Sequence, residues 1–205
     1  MTARFITLEG GEGVGKTTQL HALADALRAR GLPVVTTREP GGSEGAEAIR
    51  RLLLEGEEER WSARGEALLF AAARTAHVDQ TIRPALERGE WVLCDRFLDS
   101  SLAYQGGAGG LGMEEVRAVN LFGIGDCLPD RTLLLVHGEG AERARLRDGG
   151  EGDRIGSRPA AYHQAVDQGF LSLAAAEPER IRKVDAAGTP AEVTARLMTA
   201  LKDLL

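Results

Sequence analysis

The chain has 205 residues, of which 43% are hydrophobic, and its net charge is −6 at pH 7. This length and composition predict one domain over residues 1–205 and exclude a largely disordered chain. The acidic balance argues against a nucleic-acid partner, and the absence of an apolar run of about 18 residues argues against a membrane partner. Because the start shows no leader pattern and only two cysteines occur, we expect the chain in the cytoplasm.

Short apolar runs alternate with helical patterns along the chain, which is typical of a parallel sheet covered by helices. The longest helical pattern extends from about Ala63 to Glu87, and loops are expected at 39–45, 106–112 and 148–159. We therefore predict an α/β fold, a P-loop NTPase-type three-layer sandwich with a five-stranded parallel sheet and helices on both faces. The strands are expected at Arg4 to Leu8, Val34 to Thr37, Trp91 to Cys94, Thr132 to Val136 and Arg180 to Val184.

Residues 10–17 read Gly-Gly-Glu-Gly-Val-Gly-Lys-Thr and fit the phosphate-binding P-loop. The motif lies between an apolar run and a helical pattern, which is the strand–loop–helix context that it requires. Its glycines let backbone N–H groups turn toward phosphate oxygens, and the helix start adds its positive end. We expect Lys16 to neutralise the β- and γ-phosphates and Thr17 to offer a hydroxyl to Mg²⁺. The predicted nucleoside triphosphate-binding residues are Gly10, Gly11, Glu12, Gly13, Val14, Gly15, Lys16, Thr17 and Thr18.

Charged residues follow the second and third predicted strands, at the sheet edge where ligands gather in such folds. Arg38 begins the sequence Arg-Glu-Pro-Gly-Gly and could hold a phosphate, although an ordinary turn with a surface arginine is the alternative. Asp95 is placed to bind Mg²⁺ and Arg96 to bind a second anion, with a structural ion pair between them as the alternative. All three residues are expected near the P-loop.

Two further sets of residues have helical spacing. Phe70 and Arg74 would place one aromatic ring and one donor on a single helix face, where a planar base could bind. The alternative is that Phe70 belongs to the core and that Arg74 extends to solvent. Past Arg96, Ser101 and Tyr104 share a face if the segment is helical.

Five arginines occur in a later segment that is otherwise rich in Gly, Asp and Glu. A flap that carries arginines suits phosphoryl transfer, in which charge spreads over the transferring oxygens and water must be excluded. A solvated loop whose acids balance the arginines is the alternative. The arginines are Arg143, Arg145, Arg147, Arg154 and Arg158.

Together these motifs resemble thymidylate kinases, in the bacterial form whose lid carries arginines. The resemblance covers nearly the whole chain in order: the glycine loop with Glu12, residues 37–42, Phe70 with Arg74, residues 95–106, and residues 153–155. Its most specific parts are Arg-Glu-Pro-Gly-Gly and the long block that begins Asp-Arg-Phe. The resemblance implies phosphorylation of dTMP to dTDP with ATP and Mg²⁺. It also implies a lid at about 140–159 and a homodimer.

The resemblance further implies that Phe70 stacks on thymine, that Arg74 bonds the edge of the base, and that Glu12 reaches the sugar 3′-hydroxyl. Arg38 and Arg96 would hold the acceptor phosphate. The predicted substrate-binding residues are Glu12, Arg38, Pro40, Phe70, Arg74, Arg96, Ser100, Ser101, Tyr104 and Gln105. The predicted catalytic residues are Lys16, Arg96, Arg147 and Arg154, and the predicted metal-binding residues are Thr17 and Asp95.

Two other functions stay open. A kinase for another nucleoside monophosphate would need the same cations and would differ only in the base pocket. A GTP-driven switch that acts through a protein partner is more distant. Residues 185–188, Asp-Ala-Ala-Gly, resemble a switch element, but they lie near the C-terminus, and the chain has no Asn- or Thr-Lys-x-Asp motif for guanine.

Overall fold

The computed structural model describes residues 2–136 and 154–205, except the side chain of Glu58. Within these residues five parallel strands form one sheet, in the order β2-β3-β1-β4-β5. Each predicted strand is present, with its ends within one residue of the prediction. The strands are β1 (Phe5–Glu9), β2 (Val34–Arg38), β3 (Trp91–Asp95), β4 (Arg131–Val136) and β5 (Ile181–Asp185).

Helices connect the strands, and π-helical turns at Val78–Ile82 and Leu102–Ala108 interrupt them. As predicted, the stretch from Ala63 to Glu87 is helical throughout. The helices are α1 (Lys16–Arg28), α2 (Glu44–Leu54), α3 (Ala63–His77), α4 (Arg83–Glu87), α5 (Leu98–Ser101), α6 (Met113–Ile124), α7 (Ala160–Ala176) and α8 (Pro190–Ala200), with a 3₁₀ turn at Glu58–Arg60.

The loop predictions were wrong in part. Helix α2 begins at Glu44, inside the loop expected at 39–45, because the Ser43 side chain accepts a hydrogen bond from Ala46 N and caps the helix. The loop expected at 106–112 begins in the π-helical turn that extends to Ala108. Of the loop expected at 148–159, residues 148–153 lie outside the described residues.

Apolar side chains cover both faces of the sheet, which confirms the three-layer sandwich. On one face Leu23 and Leu27 of α1 pack with Leu197 of α8. On the other face Phe97 and Phe170 belong to the core formed by α5, α6, α7 and the π-helical turns. Burying each such side chain contributes roughly 1.5–3 kcal/mol. None of the helices in residues 2–136 and 154–205 has the length and apolarity needed to cross a membrane.

The sheet register brings the strand ends together. Leu8 of β1 and Arg38 of β2 both pair with Asp95 of β3, so these three strands end at the same edge. The segments that follow them are therefore neighbours, although the sequence separates them by tens of residues. Arg38, Asp95 and the P-loop, which were predicted to bind phosphate or Mg²⁺, lie at or directly after these strand ends.

Candidate active site

The P-loop has the backbone that its glycines predict. Gly10, Gly13 and Gly15 have φ angles of 137°, 70° and 87°, a region that residues with a Cβ rarely adopt. A Cβ on Gly10 would also lie 2.5 Å from the backbone oxygen of Leu135. Glycine is therefore required at this position both for its conformation and for the close approach of β4.

Lys16 is buried at the start of α1, and its Nζ donates to Gly10 O at 3.2 Å and Gly11 O at 2.7 Å. Burial, followed by the nearby positive charge of Arg96, lowers the pKa of Lys16 to about 7. The ammonium group is thus held against the P-loop, where a phosphate would favour its charged form.

The Thr17 hydroxyl donates to Asp95 Oδ2 at 2.8 Å. This contact agrees with the prediction that Asp95 lies beside the P-loop. Arg96, in contrast, directs its Nη1 to Gly10 O and Ser100 Oγ, both at 3.1 Å. The arrangement favours a metal-binding role for Asp95 over a structural ion pair with Arg96.

Arg96 is the one non-glycine residue with a positive φ, 68°, among the described residues. Such a conformation costs about 1–3 kcal/mol and persists only where the surroundings determine it. Here Arg96 N donates to Leu8 O at 3.0 Å, and the guanidinium lies 5.1 Å from the centre of the Tyr104 ring. Backbone and side chain together fix this cation between the P-loop and Tyr104.

Glu9 is a buried carboxyl group that we did not predict. Its Oε1 accepts from Phe97 N at 2.8 Å and its Oε2 accepts from Ser100 Oγ at 2.6 Å. Burial, followed by the nearby Asp99, raises the pKa of Glu9 to about 8. The signal that could have indicated it is an acidic residue at the end of a buried strand, next to the P-loop.

A cavity of about 570 Å³, including the part open to solvent, lies between the P-loop and α3. Every predicted substrate-binding residue except Arg38 lines it. Arg38 lies at the neighbouring surface, where its Nη2 donates to Glu47 Oε1 at 2.9 Å. The lining residues are Glu12, Glu39, Pro40, Arg50, Leu54, Phe70, Arg74, Arg96, Phe97, Ser100, Ser101, Tyr104, Gln105 and Ile155.

Arg74 is 2% exposed, so it does not extend to solvent. Its Nε donates to Glu39 Oε2 at 2.7 Å, and its Nη2 donates to Phe97 O at 3.0 Å. Its Nη1 donates to Ser101 Oγ at 3.1 Å and to Asn120 Oδ1. Because arginine has five N–H groups and these contacts use four, one N–H remains for the cavity. The sequence analysis did not predict roles for Glu39 and Asn120, because their partner, Arg74, lies far from both of them along the chain.

Of the five arginines predicted to belong to a lid, Arg143, Arg145 and Arg147 lie outside the described residues. The Nη2 atoms of Arg154 and Arg158 both donate to Glu66 Oε2, at 2.5 Å and 2.7 Å. The Arg154 side chain is completely buried, so a solvated loop does not describe its position.

The possible switch element, residues 185–188, does not follow the strand that leads into the P-loop. It follows β5, which β4 separates from β1. Asp185 accepts a hydrogen bond from Ala187 N at 2.9 Å, as expected of an ordinary turn. This position argues against a nucleotide switch.

Three comparisons identify the family. The thymidylate kinase family model matches residues 8–197. The thymidylate kinase of Rhizorhabdus wittichii is 62% identical over the whole of both chains, and that of Gluconobacter oxydans is 51% identical over 98% of this chain and 95% of its own. The crystal structure of thymidylate kinase from Ehrlichia chaffeensis superposes with a TM-score of 0.79 and 31% identity, covering 98% of this chain and 99% of that one. The chain therefore belongs to the thymidylate kinase family, whose members phosphorylate dTMP to dTDP with ATP.

Proposed function

We propose that this chain transfers the γ-phosphoryl group of ATP in line to the phosphate of dTMP, with the P-loop residues Gly10 to Thr18 as the donor site and the cavity as the acceptor site. The observation that carries the proposal is the position of Arg96. It contacts the P-loop at Gly10 O and lies over Tyr104 of the cavity. Two phosphates repel each other strongly when they approach, and a fixed cation between them offsets that repulsion.

The acceptor oxygen of dTMP is already anionic, so the transfer needs no general base. Catalysis then depends on positioning and on electrostatic stabilisation of the transferring group. We propose Lys16 and Arg96, with Arg147 and Arg154 of the lid, as the catalytic cations. Ile155, the neighbour of Arg154, lines the cavity, whereas the Arg154 side chain is completely buried and pairs with Glu66, so its proposed role requires it to leave this partner for the substrate.

Thr17 and Asp95 are the residues that we propose to hold Mg²⁺. This ion prefers oxygen ligands, keeps several waters, and is often held by one or two protein oxygens together with substrate phosphates. The Thr17 Oγ1 and Asp95 Oδ2 atoms, 2.8 Å apart beside the P-loop, suit such a site. The described residues contain no group of three or more His, Cys, Asp or Glu side chains suited to a metal, so the phosphates would complete the coordination. When bound, Mg²⁺ would neutralise charge on the β- and γ-phosphates.

The cavity wall provides the contacts that a pyrimidine nucleotide requires. Phe70 offers an aromatic face for the base, and Arg74 and Gln105 offer polar atoms for its edge. The Tyr104 hydroxyl is buried and has no hydrogen-bond partner in the described part of the chain, so it is available to the sugar or phosphate. We propose that Glu12 binds the 3′-hydroxyl. The other proposed acceptor-site residues are Arg38, Pro40, Arg96, Ser100 and Ser101.

An exposed apolar face on α3 and α6 supports a homodimer. Phe122 is 93% exposed and Leu68 is 57% exposed, whereas large apolar side chains on a monomer surface are usually scattered singly. Val119, one turn from Phe122, is also exposed, and α3 and α6 pack against each other. We propose that this face pairs with its copy in a second chain. Sedimentation of the wild type and of Phe122→Glu tests the proposal, since the variant should be monomeric.

The direct test of the function is ADP formation with ATP fixed and with dTMP, dUMP, dCMP, AMP or GMP as the acceptor. We expect the highest kcat/KM for dTMP and negligible ATP consumption without an acceptor. A purine monophosphate used as well as dTMP would contradict the thymidylate assignment and leave a kinase for another monophosphate. ATP hydrolysis at the same rate with and without an acceptor would contradict phosphoryl transfer altogether.

A further inference from the structure

Gln105 and Glu66 form a buried contact behind the cavity wall. Gln105 lines the cavity and is 3% exposed, whereas Glu66, on α3, is 2% exposed and lies behind the lining residues. Gln105 Nε2 donates to Glu66 Oε1 at 3.0 Å. A carboxylate accepts hydrogen bonds but has none to donate, so the amide must direct its NH₂ group to Glu66. The carbonyl oxygen of Gln105 is then the end of the amide that is left for the cavity.

Glu66 is itself held firmly. Arg154 and Arg158 both donate to its Oε2, which leaves Oε1 for Gln105. Arg154 Nε also donates to Leu53 O at 2.8 Å, so the guanidinium is fixed at two points. All three contacts to Glu66 come from donors, namely two guanidinium groups and one amide, so its carboxylate acts throughout as an acceptor.

We propose that Glu66 is a positioning residue, which fixes the Gln105 amide with its carbonyl oxygen toward the base and thereby requires an N–H group on the ring of the bound base. This inference rests on the proposed function of the cavity as the acceptor site. The remaining N–H group of Arg74 places a donor in the same cavity. Together the two side chains present one acceptor and one donor.

Thymine and uracil match this arrangement, because each has a ring N–H group next to a carbonyl oxygen. Cytosine has a bare ring nitrogen next to an amino group. Its ring nitrogen, an acceptor, would face the Gln105 carbonyl oxygen, and its amino group, a donor, would face the Arg74 N–H group. A site that loses its hydrogen-bond partners in this way discriminates strongly, because buried polar groups are left unpaired. Glu66 would thus select against cytosine without touching the base.

The test is Glu66→Gln, with kcat/KM measured for dTMP, dUMP and dCMP at saturating ATP. A glutamine at position 66 can either accept from or donate to Gln105, so both amide orientations become available. We expect the dTMP to dCMP ratio to fall by about tenfold, the effect of one hydrogen bond. The dTMP to dUMP ratio should not change, since the two bases share the same ring edge. An unchanged dTMP to dCMP ratio would overturn the proposal, even if all rates fall together.

Two matched variants distinguish a positioning role of Glu66 from a general effect of the substitution on protein stability. Glu177 also pairs with two arginines, Arg117 and Arg180, but lies outside the cavity wall, so Glu177→Gln should leave both ratios unchanged. Gln105→Met removes the amide, and adding Glu66→Gln to it should then change neither ratio further. A further loss of discrimination in the double variant would show that Glu66 does not act through Gln105.

A measurement on the wild type covers the case in which Glu66→Gln does not fold. In ¹⁵N-labelled protein, the Gln105 side-chain NH₂ signals, assigned with Gln105→Met, should shift little when dTMP binds because they face Glu66. The imino proton of bound dTMP should become slow to exchange. A large shift of the NH₂ signals would show that they face the base and would overturn the inference. If the wild type does not phosphorylate dTMP at all, the proposed function fails instead.

Discussion

Glu39 and Arg74 form a buried ion pair, with 2.7 Å between Glu39 Oε2 and Arg74 Nε. Their side chains are 3% and 2% exposed, and His77 Nδ1 lies 2.9 Å from the other carboxylate oxygen. The pair connects the end of β2 with α3. It therefore determines how the Arg74 guanidinium faces the cavity.

Replacing Glu39 with Ala would leave the Arg74 charge buried without its partner. We expect a loss of about 3–5 kcal/mol in the free energy of unfolding, with the KM for dTMP raised more than the KM for ATP. Urea unfolding and steady-state kinetics provide the measurements. As a control, Glu90→Ala breaks an exposed pair with Arg88 and should cost at most about 1 kcal/mol. Equal losses in the two variants would contradict the role given to the buried pair.

Arg180 contacts α5, the helix that carries Ser100 and Ser101, which we propose as acceptor-site residues. Its Nη1 and Nη2 donate to both oxygens of Asp99 on α5, at 2.7 Å and 2.8 Å, and Asp99 is 1% exposed. We expect Arg180→Met to lose about 3–5 kcal/mol of stability and to lower turnover, since Ser100 is the next residue. The matched control is Arg182→Met, two residues further along the chain in β5, which breaks an exposed pair with Glu179. Equal stability and equal turnover of Arg180→Met and Arg182→Met would contradict the role given to Arg180.

Glu9 should make stability depend on pH. Its folded pKa is about 8, against an ordinary value of 4.5, so from about pH 5 to about pH 8 the folded state keeps a proton that the unfolded state releases. The contribution of Glu9 to stability is therefore complete below this window and is lost as pH rises through it. Glu9→Gln removes the contribution, so the stability of the variant relative to wild type should rise with pH. Urea midpoints that change in parallel for both proteins would refute the raised pKa.

Lys16→Ala should lower turnover by roughly 10²-fold or more, because phosphate charge loses a fixed partner in the transition state. Circular dichroism should show an unchanged fold. Lys202→Ala, at an exposed position, is the control and should have wild-type turnover. A folded Lys16→Ala protein with near-normal turnover would exclude Lys16 from catalysis.

If they serve as the proposed catalytic cations, Arg147 and Arg154 should act mainly on the transition state. We expect Arg147→Ala and Arg154→Ala each to lose roughly 10²-fold or more in turnover, by analogy with arginine fingers, with a smaller effect on ATP affinity. Arg143→Ala should be milder. Single-turnover rates together with ATP affinities for the alanine variants separate the two effects. Wild-type rates in the variants of Arg143, Arg145, Arg147, Arg154 and Arg158 would leave Lys16, Arg38 and Arg96 as the catalytic cations.

Much of the fold and part of the site were predictable because their signals are local. The strands follow from short apolar runs, and the P-loop follows from glycines whose positive φ angles only glycine adopts readily. The nearness of Asp95 to Thr17 also followed, since parallel strands end at one edge. The π-helical turn at Leu102–Ala108 was not predictable, because its residues have no pattern that distinguishes it from an α-helix.

The sequence by itself predicted the positions of the strands along the chain, the phosphate loop and most of the residues that line the cavity, and it carried the family resemblance. Only the tertiary structure determined which carboxyl groups are buried and which donor groups each of them contacts. Glu39 meets Arg74 across 35 residues, and Glu66 meets Arg158 across 92. A carboxylate in the core is tolerated only when donors surround it, and those donors are brought together by the packing of distant segments. The positions of Glu9, Glu39 and Glu66 therefore depend on the fold as a whole, whereas a P-loop depends on its neighbours in the chain.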